Sequence, residues 1–254
     1  MKLNFKTFGE GEPLIILHGL LGSLDNWQTL AKQFSAHCTV FVVDQRNHGK
    51  SPHAPNFDYD ILADDLFDFM DENYISSAHI LGHSMGGKTA MYFAMKYPEK
   101  VEKLIVADIA PVKYEEGHKV IFDALFSVDL KAVDNRKEID EQLKKQIPQF
   151  GVRQFLMKGL TRNDDRALAW KFNLIDIWNN YDNILETFET EDVFEGETLF
   201  IKGEQSAYII DKYIPVIKKY FPASILKTIK RVGHWLHAEK PKEFYEIVIN
   251  FLKK

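Results

Sequence analysis

The chain has 254 residues, 45% of them hydrophobic, and a formal net charge of −5 at pH 7. That length buries one large core and suits a single α/β domain carrying an insertion, while the acidic balance leaves no basic excess for nucleic-acid phosphates or an anionic membrane. Neither partner is expected, and Cys38, the only cysteine, excludes an internal disulfide and a cysteine-built zinc site; no metal or organic cofactor is expected.

The first residues, MKLNFKTFGEGEPLIIL, lack the basic stretch, long apolar region and small-residue cleavage site of a signal peptide. No apolar run approaches the roughly 20 residues that span a bilayer, so the expected location is the cytoplasm. The first strand pattern is LIIL (14–17), followed by a helical stripe of Trp27, Leu30, Ala31 and Phe34. TVFVVD (39–44), the looser stripe Leu62, Leu66, Phe69 and Asn73, AHIL (78–81), the stripe Ala90, Phe93, Ala94 and Tyr97, and KLIVAD (103–108) continue the alternation. Continuous apolar strands separated by helices predict a mostly parallel sheet covered on both faces.

After Pro111 the pattern changes. Residues 113–190 read as helical, charged and aromatic, with no strand; DNRKEIDEQLKKQI (134–147) is the clearest helix, its Ile139, Leu143 and Ile147 at four-residue steps. Strand patterns return at TLFIK (198–202) and ILKTIK (225–230), and Pro241 opens a last helix with Phe244, Ile247, Val248 and Phe251 on one face. The expected organisation is an α/β core of residues 1–112 and 191–254 interrupted by a helical cap at 113–190. The two final lysines are expected to fray.

GHSMGG (82–87) joins the strand AHIL to a helix, the setting that a G-x-S-x-G nucleophile elbow requires. Gly82 and Gly86 remove side chains that would collide across the tight turn, Ser84 is presented at the carboxyl edge of the sheet, and the helix N-terminus faces developing negative charge. Ser84 is therefore the candidate nucleophile, and the backbone N–H of Met85 a candidate oxyanion donor. His83 is expected to pack beside the elbow. In LIILHGLLGS, Leu20 is the second candidate oxyanion donor and His18 a brace for its loop. VVDQRNHGKS (42–51) reads as a structural turn held by Asp44, Arg46 and Ser51, and Cys38 as a small buried residue. In VGHWLHAEKP, His234 is the candidate base, with His237 as rival; His53, His79 and His118 read as surface or packing histidines, and Lys88 as a solvated helix-start lysine.

Together HGLLGS, DQRNHGKS, GHSMGG and the late GHW resemble the α/β-hydrolase superfamily, over essentially the whole chain apart from the cap. ADIAP (107–111) more narrowly resembles a group of small bacterial esterases acting on acyl esters, thioesters included. The resemblance implies a serine hydrolase with a Ser-His-acid triad and an acyl-enzyme intermediate, acting on a small acyl ester or thioester. It leaves open carbon–carbon hydrolysis, perhydrolysis or a lyase reaction of menaquinone synthesis on the same machinery, and, in another class, a small-molecule receptor. Most relatives carry the acid in a G-x-x-D segment after the strand corresponding to TLFIK, but this chain reads Gly203, Glu204, Gln205, Ser206. A serine cannot stabilise an imidazolium as a carboxylate does. Some relatives place the acid one strand earlier, which assigns Asp108 and leaves Glu204 as the alternative. Phe122, Leu125, Phe126, Phe155, Leu156, Trp170 and Trp178 of the cap, with Trp27 and Trp235, are candidate pocket residues, each more readily explained by core packing.

Overall fold

Successive residues of a strand point to opposite faces of a sheet, and strand β2 (Pro13–Leu17) buries both. Its Ile15 and Leu17 enter one apolar cluster, and Leu14 and Ile16 enter another on the opposite face. That double burial is what an uninterrupted LIIL run encodes. The structure, a computed structural model, describes every residue except Asp134, Asp164, Phe188, Glu189 and Lys254.

In chain order the strands are β1 (Phe5–Phe8), β2, β3 (Thr39–Val43), β4 (Ala78–His83), β5 (Val101–Ala107), β6 (Leu160–Arg162), β7 (Leu168–Trp170), β8 (Thr198–Gly203) and β9 (Ser224–Ile229). Seven form one sheet in the order β1-β3-β2-β4-β5-β8-β9. Every pairing in it is parallel except that of β1 with β3, where Phe5 lies opposite Val43. The sequence pattern missed β1 because an edge strand of four half-exposed residues carries no buried face to announce it.

One face of the sheet is covered by α2 (Tyr59–Glu72), α3 (Met85–Lys96) and α9 (Ile214–Tyr220), the other by α1 (Gln28–Phe34) and α11 (Pro241–Leu252). The predicted stripes are the buried ones: Leu30, Ala31 and Phe34 on α1, and Phe244, Val248 and Phe251 on α11. Asn73, placed on the stripe of α2, instead closes that helix, its side chain donating to the Phe69 carbonyl at 2.7 Å.

Between β5 and β8 lies a helical segment with α4 (Lys119–Ser127), α5 (Arg136–Lys144), α6 (Phe150–Lys158), α7 (Leu174–Asn179) and α8 (Tyr181–Leu185). Ile139, Leu143 and Ile147 are buried as their spacing predicts, and Asn135 caps α5 by accepting from the N–H groups of Lys137 and Glu138. Asp134, where the predicted helix began, lies outside the described residues, as does Lys254 of the predicted frayed end. The expectation of no strand in this segment is corrected: β6 and β7 pair antiparallel, Leu160 opposite Trp170. Three-residue strands are too short to show an alternation. The segment has its own apolar cluster, which also takes in Leu21, Tyr59, Leu62 and Met85. It therefore seats on the carboxyl edge of the sheet. Among the described residues, no helix is long and apolar enough to cross a membrane.

Candidate active site

β4 passes into α3 through Ser84, whose φ of 53° and ψ of −120° put a non-glycine residue in a sparsely populated region. Such a conformation costs of order 1–3 kcal/mol and persists only where its surroundings enforce it. Here the enforcement is visible. A Cβ on Gly82 would lie 2.0 Å from the Gly86 carbonyl oxygen, and one on Gly86 would lie 2.5 Å from that of Leu17. The elbow is thus wedged between its own first helical turn and β2, and the Ser84 N–H is tied to the Ala107 carbonyl at 3.0 Å. From Ala78 to Met91, Ser84 is the one residue not fully buried.

The Ser84 hydroxyl meets His234 Nε2 at 2.9 Å, and His234 Nδ1 meets Asp108 Oδ2 at 2.8 Å. His234 sits in the loop between β9 and the short helix α10 (Leu236–Glu239). Asp108 follows β5 with φ of 54°, is fully buried, and has its N–H bound to the Ile201 carbonyl at 2.8 Å. Its Oδ1 accepts from the Gly203 N–H at 2.9 Å, and its Oδ2 also accepts from the Ser206 hydroxyl. Ser206, in the position where the resemblance implied an acid, thus donates to the carboxylate one strand away. Glu204 is turned elsewhere: it is exposed and accepts from the Arg231 N–H at 2.9 Å. Tyr208 stacks on the His234 ring, centroids 4.0 Å apart and planes 25° from parallel.

The loop after β2 is held by histidines. His18 Nε2 accepts from the Gln45 N–H at 3.1 Å, leaving Nδ1–H to donate to the Gly19 carbonyl at 2.9 Å. His48 Nε2 accepts from the Leu21 N–H at 3.1 Å, and its Nδ1–H donates to the Arg46 carbonyl at 2.9 Å. Burial lowers the pKa of both, so each stays neutral and able to accept. DQRNHGKS is the other half of this brace: Asp44 accepts from the Leu24 N–H at 2.7 Å, and Arg46 forks onto Asp65 at 2.5 and 2.8 Å. A Cβ on Gly19 would lie 3.3 Å from that of Ser84, so the Leu20 loop passes directly over the serine. Met85 begins α3, where the first N–H groups have no carbonyl acceptor within the helix.

The neighbouring histidines are spoken for. His83 Nε2–H donates to the His234 carbonyl at 2.9 Å, and burial holds its pKa well below the usual range. His237 is stacked on Trp27 at 4.3 Å, with planes 6° from parallel, and burial takes its pKa down to about 3. His79 is buried beside Glu12, at 3.3 Å, and His53 is exposed. Among the described residues, no three His, Cys, Asp or Glu side chains are grouped to hold a metal ion.

A family model described as alpha/beta hydrolase fold matches residues 12–127. Esterase YbfF of Escherichia coli is 33% identical over 99% of this chain and 99% of its own. The sn-1-specific diacylglycerol lipase ABHD11 of Danio rerio is 36% identical over 98% of this chain and 81% of its own. The chain belongs to the α/β-hydrolase family. Among solved structures, a marine microorganism esterase superposes with a TM-score of 0.96 at 46% identity, covering 98% of this chain and 99% of its own.

In this α/β hydrolase Ser84 lies where two chambers meet. The larger, about 630 Å³, is lined by Tyr59, Lys88, Tyr114, His118, Tyr181 and Tyr208 among others; the smaller, about 270 Å³, by Ile121, Val152, Phe155, Leu156, His234 and Trp235 among others. Leu20, Ser84, His118 and Tyr208 border both. Of the candidate pocket aromatics, only Phe155 and Trp235 line a chamber, with Leu156 beside them. Phe122 and Phe126 each pack on Trp178, Trp170 stacks on Phe172, and Leu125 is buried in the apolar cluster of the helical segment. His118 is corrected from a packing residue to a lining one. Its Nδ1 is 2.6 Å from the Tyr181 hydroxyl and its Nε2 3.4 Å from that of Tyr208, and burial lowers its pKa to about 4. Lys88 is corrected from solvated to 2% exposed. No sequence signal marked the tyrosines, which come from four separate segments.

Proposed function

We propose that this α/β hydrolase cleaves carboxylic esters, acyl thioesters among them, through an acyl-enzyme intermediate on Ser84, with the insertion acting as a cap over the site. The chain is a carboxylic ester hydrolase; the esterase and lipase names of its relatives support that class. The unbroken chain of hydrogen bonds from Ser84 Oγ through His234 to Asp108, at 2.9 and 2.8 Å, carries the mechanistic reading.

His234 Nε2 takes the Ser84 proton as Oγ attacks the acyl carbon, and the imidazolium keeps its Nδ1–H on Asp108, whose negative charge stabilises it. The carbonyl oxygen, now negative, accepts from the Leu20 and Met85 N–H groups, held in place by the histidine-braced loop and the helix start. His234 Nε2–H protonates the departing alcohol or thiol; it then deprotonates a water that attacks the acyl carbon and releases the acid. The leaving group must lie within reach of His234, which lines the smaller chamber. The acyl chain accordingly occupies the larger.

Intact-protein mass spectrometry after exposure to a fluorophosphonate tests the nucleophile: one adduct is expected on the native chain and none on Ser84→Ala. A panel of short esters, acyl thioesters and diketones tests the bond type, and absence of ester turnover overturns the reading.

A further inference from the structure

Lys88 follows Ser84 by one turn of α3, its N–H donating to the Ser84 carbonyl at 3.0 Å. Its side chain is buried yet borders the larger chamber. The ammonium donates to the Leu185 carbonyl at 3.0 Å and to the Glu186 carbonyl, and lies 5.4 Å and 5.0 Å from the ring centres of Tyr59 and Tyr114. An ammonium has three N–H donors, and two carbonyls occupy two. Among the described residues no carboxylate forms a salt bridge with it; that of Glu186 pairs with Lys113. The Glu186 carboxylate favours the charge only from a distance, against the larger opposing effect of burial.

The rim of the chamber does not supply the missing charge. Lys113, Glu115, Glu116 and Lys212 are exposed there, two of each sign, which leaves Lys88 as the buried cation of the chamber wall. Ser84 borders the same chamber. Its backbone and that of Lys88 are one helical turn apart, so an acyl group seated on Ser84 can present its far end to the ammonium.

We propose that Lys88 is a specificity-determining residue whose ammonium receives a carboxylate at the far end of the acyl group, so that the favoured substrates are half-esters of short dicarboxylic acids. The assignment rests on reading Ser84 as the nucleophile and the larger chamber as the acyl side. The two carbonyls orient the ammonium, and the tyrosine rings face its flanks.

The test compares monoethyl glutarate with ethyl 4-carbamoylbutanoate, which differ only in carboxylate against carboxamide. In the wild type near pH 6.5, kcat/KM is expected to favour the half-ester about 10-fold or more, the scale of a hydrogen bond between charged groups. Lys88→Met is expected to bring the ratio to about one. The wild-type ratio is also expected to fall from pH 6 to 9, because burial lowers the Lys88 pKa to about 7. Of the other groups around it, Tyr59 on α2, Tyr92 on α3 and Tyr114 after β5 have pKa values raised by burial and stay neutral; His118, lowered to about 4, is neutral as well; and the Glu186 carboxylate is held by Lys113. The Ser84–His234 machinery acts on both esters alike, so its own pH dependence cancels in the ratio. Equal kcat/KM for the two esters overturns the proposal, as does a preference that survives in Lys88→Met. Should that variant fail to fold, a wild-type ratio that stays flat from pH 6 to 9 overturns it. Turnover of the carboxamide ester with no preference leaves the hydrolase reading standing, whereas turnover of neither ester removes both.

Discussion

Replacing Asp108 by Asn keeps the shape of a fully buried side chain and removes its charge. The consequences follow from its three donors. Gly203 N–H requires an oxygen at the Oδ1 position, while the Ser206 hydroxyl and His234 Nδ1 both converge on Oδ2. With the amide oxygen kept for Gly203, the NH₂ group faces His234 Nδ1 and donates to it. That bond selects the tautomer with the proton on Nε2, which cannot accept from Ser84 at 2.9 Å. Loss of both the tautomer and the counter-charge is expected to lower kcat by about 10⁴-fold, or about 5.5 kcal/mol of activation free energy, with KM little changed. Steady-state hydrolysis of 4-nitrophenyl butyrate, alongside a melting curve showing that the variant is folded, measures this. Glu204→Gln serves as the matched control and is expected to retain activity, because its carboxylate caps the Arg231 N–H and not the imidazole. Activity of Asp108→Asn within about tenfold of the wild type, or collapse of Glu204→Gln, would refute the reasoning.

Gly82→Ala sets a methyl 2.0 Å from the Gly86 carbonyl oxygen; it is expected to cost about 3 kcal/mol or more in denaturant titrations, and a variant as stable as the wild type contradicts the wedged elbow. Tyr208→Leu removes the ring stacked 4.0 Å from His234 and is expected to lower kcat by about 2- to 12-fold, the range of one aromatic pair, with KM for a neutral ester moving less; an unchanged kcat counts against the stack as a support for the base. Acid should destabilise the fold through His237, whose pKa falls from an ordinary 6.5 to about 3 on burial. The unfolded chain binds that proton first, so the contribution is complete above pH 6.5 and is lost on descending toward pH 3, by about 2 kcal/mol at pH 5. Melting temperatures from pH 7 to 5 should fall less steeply in His237→Phe than in the wild type, and parallel curves would assign the acid sensitivity elsewhere.

What could be read along the chain was local. Backbone periodicity is a property of a few consecutive residues, so LIIL, TVFVV and the stripe Ile139, Leu143, Ile147 each indicated an element that the structure contains. The strands that went unread, β1 and the pair β6 and β7, are three or four residues long and incompletely buried, so their pattern does not rise above that of a loop. Lys88 was misplaced because a helix-start lysine is ordinarily solvated, and nothing near it in sequence signals the insertion that folds down over it.

The sequence by itself determined the elbow. Gly82, Ser84 and Gly86 lie within five residues, and the clash that a side chain on Gly82 would make is set by the turn itself, whereas that on Gly86 is with the neighbouring β2. Tertiary structure decided what faces that serine. Asp108 and Glu204 are both carboxylates at the same edge of the sheet, and only packing turns one toward His234, 126 residues away, and the other toward Arg231. His118, Tyr181 and Tyr208 meet across 90 residues of chain for the same reason. Side chains so far apart in sequence share no local period, and their meeting depends on strand order and on how the insertion seats over the sheet.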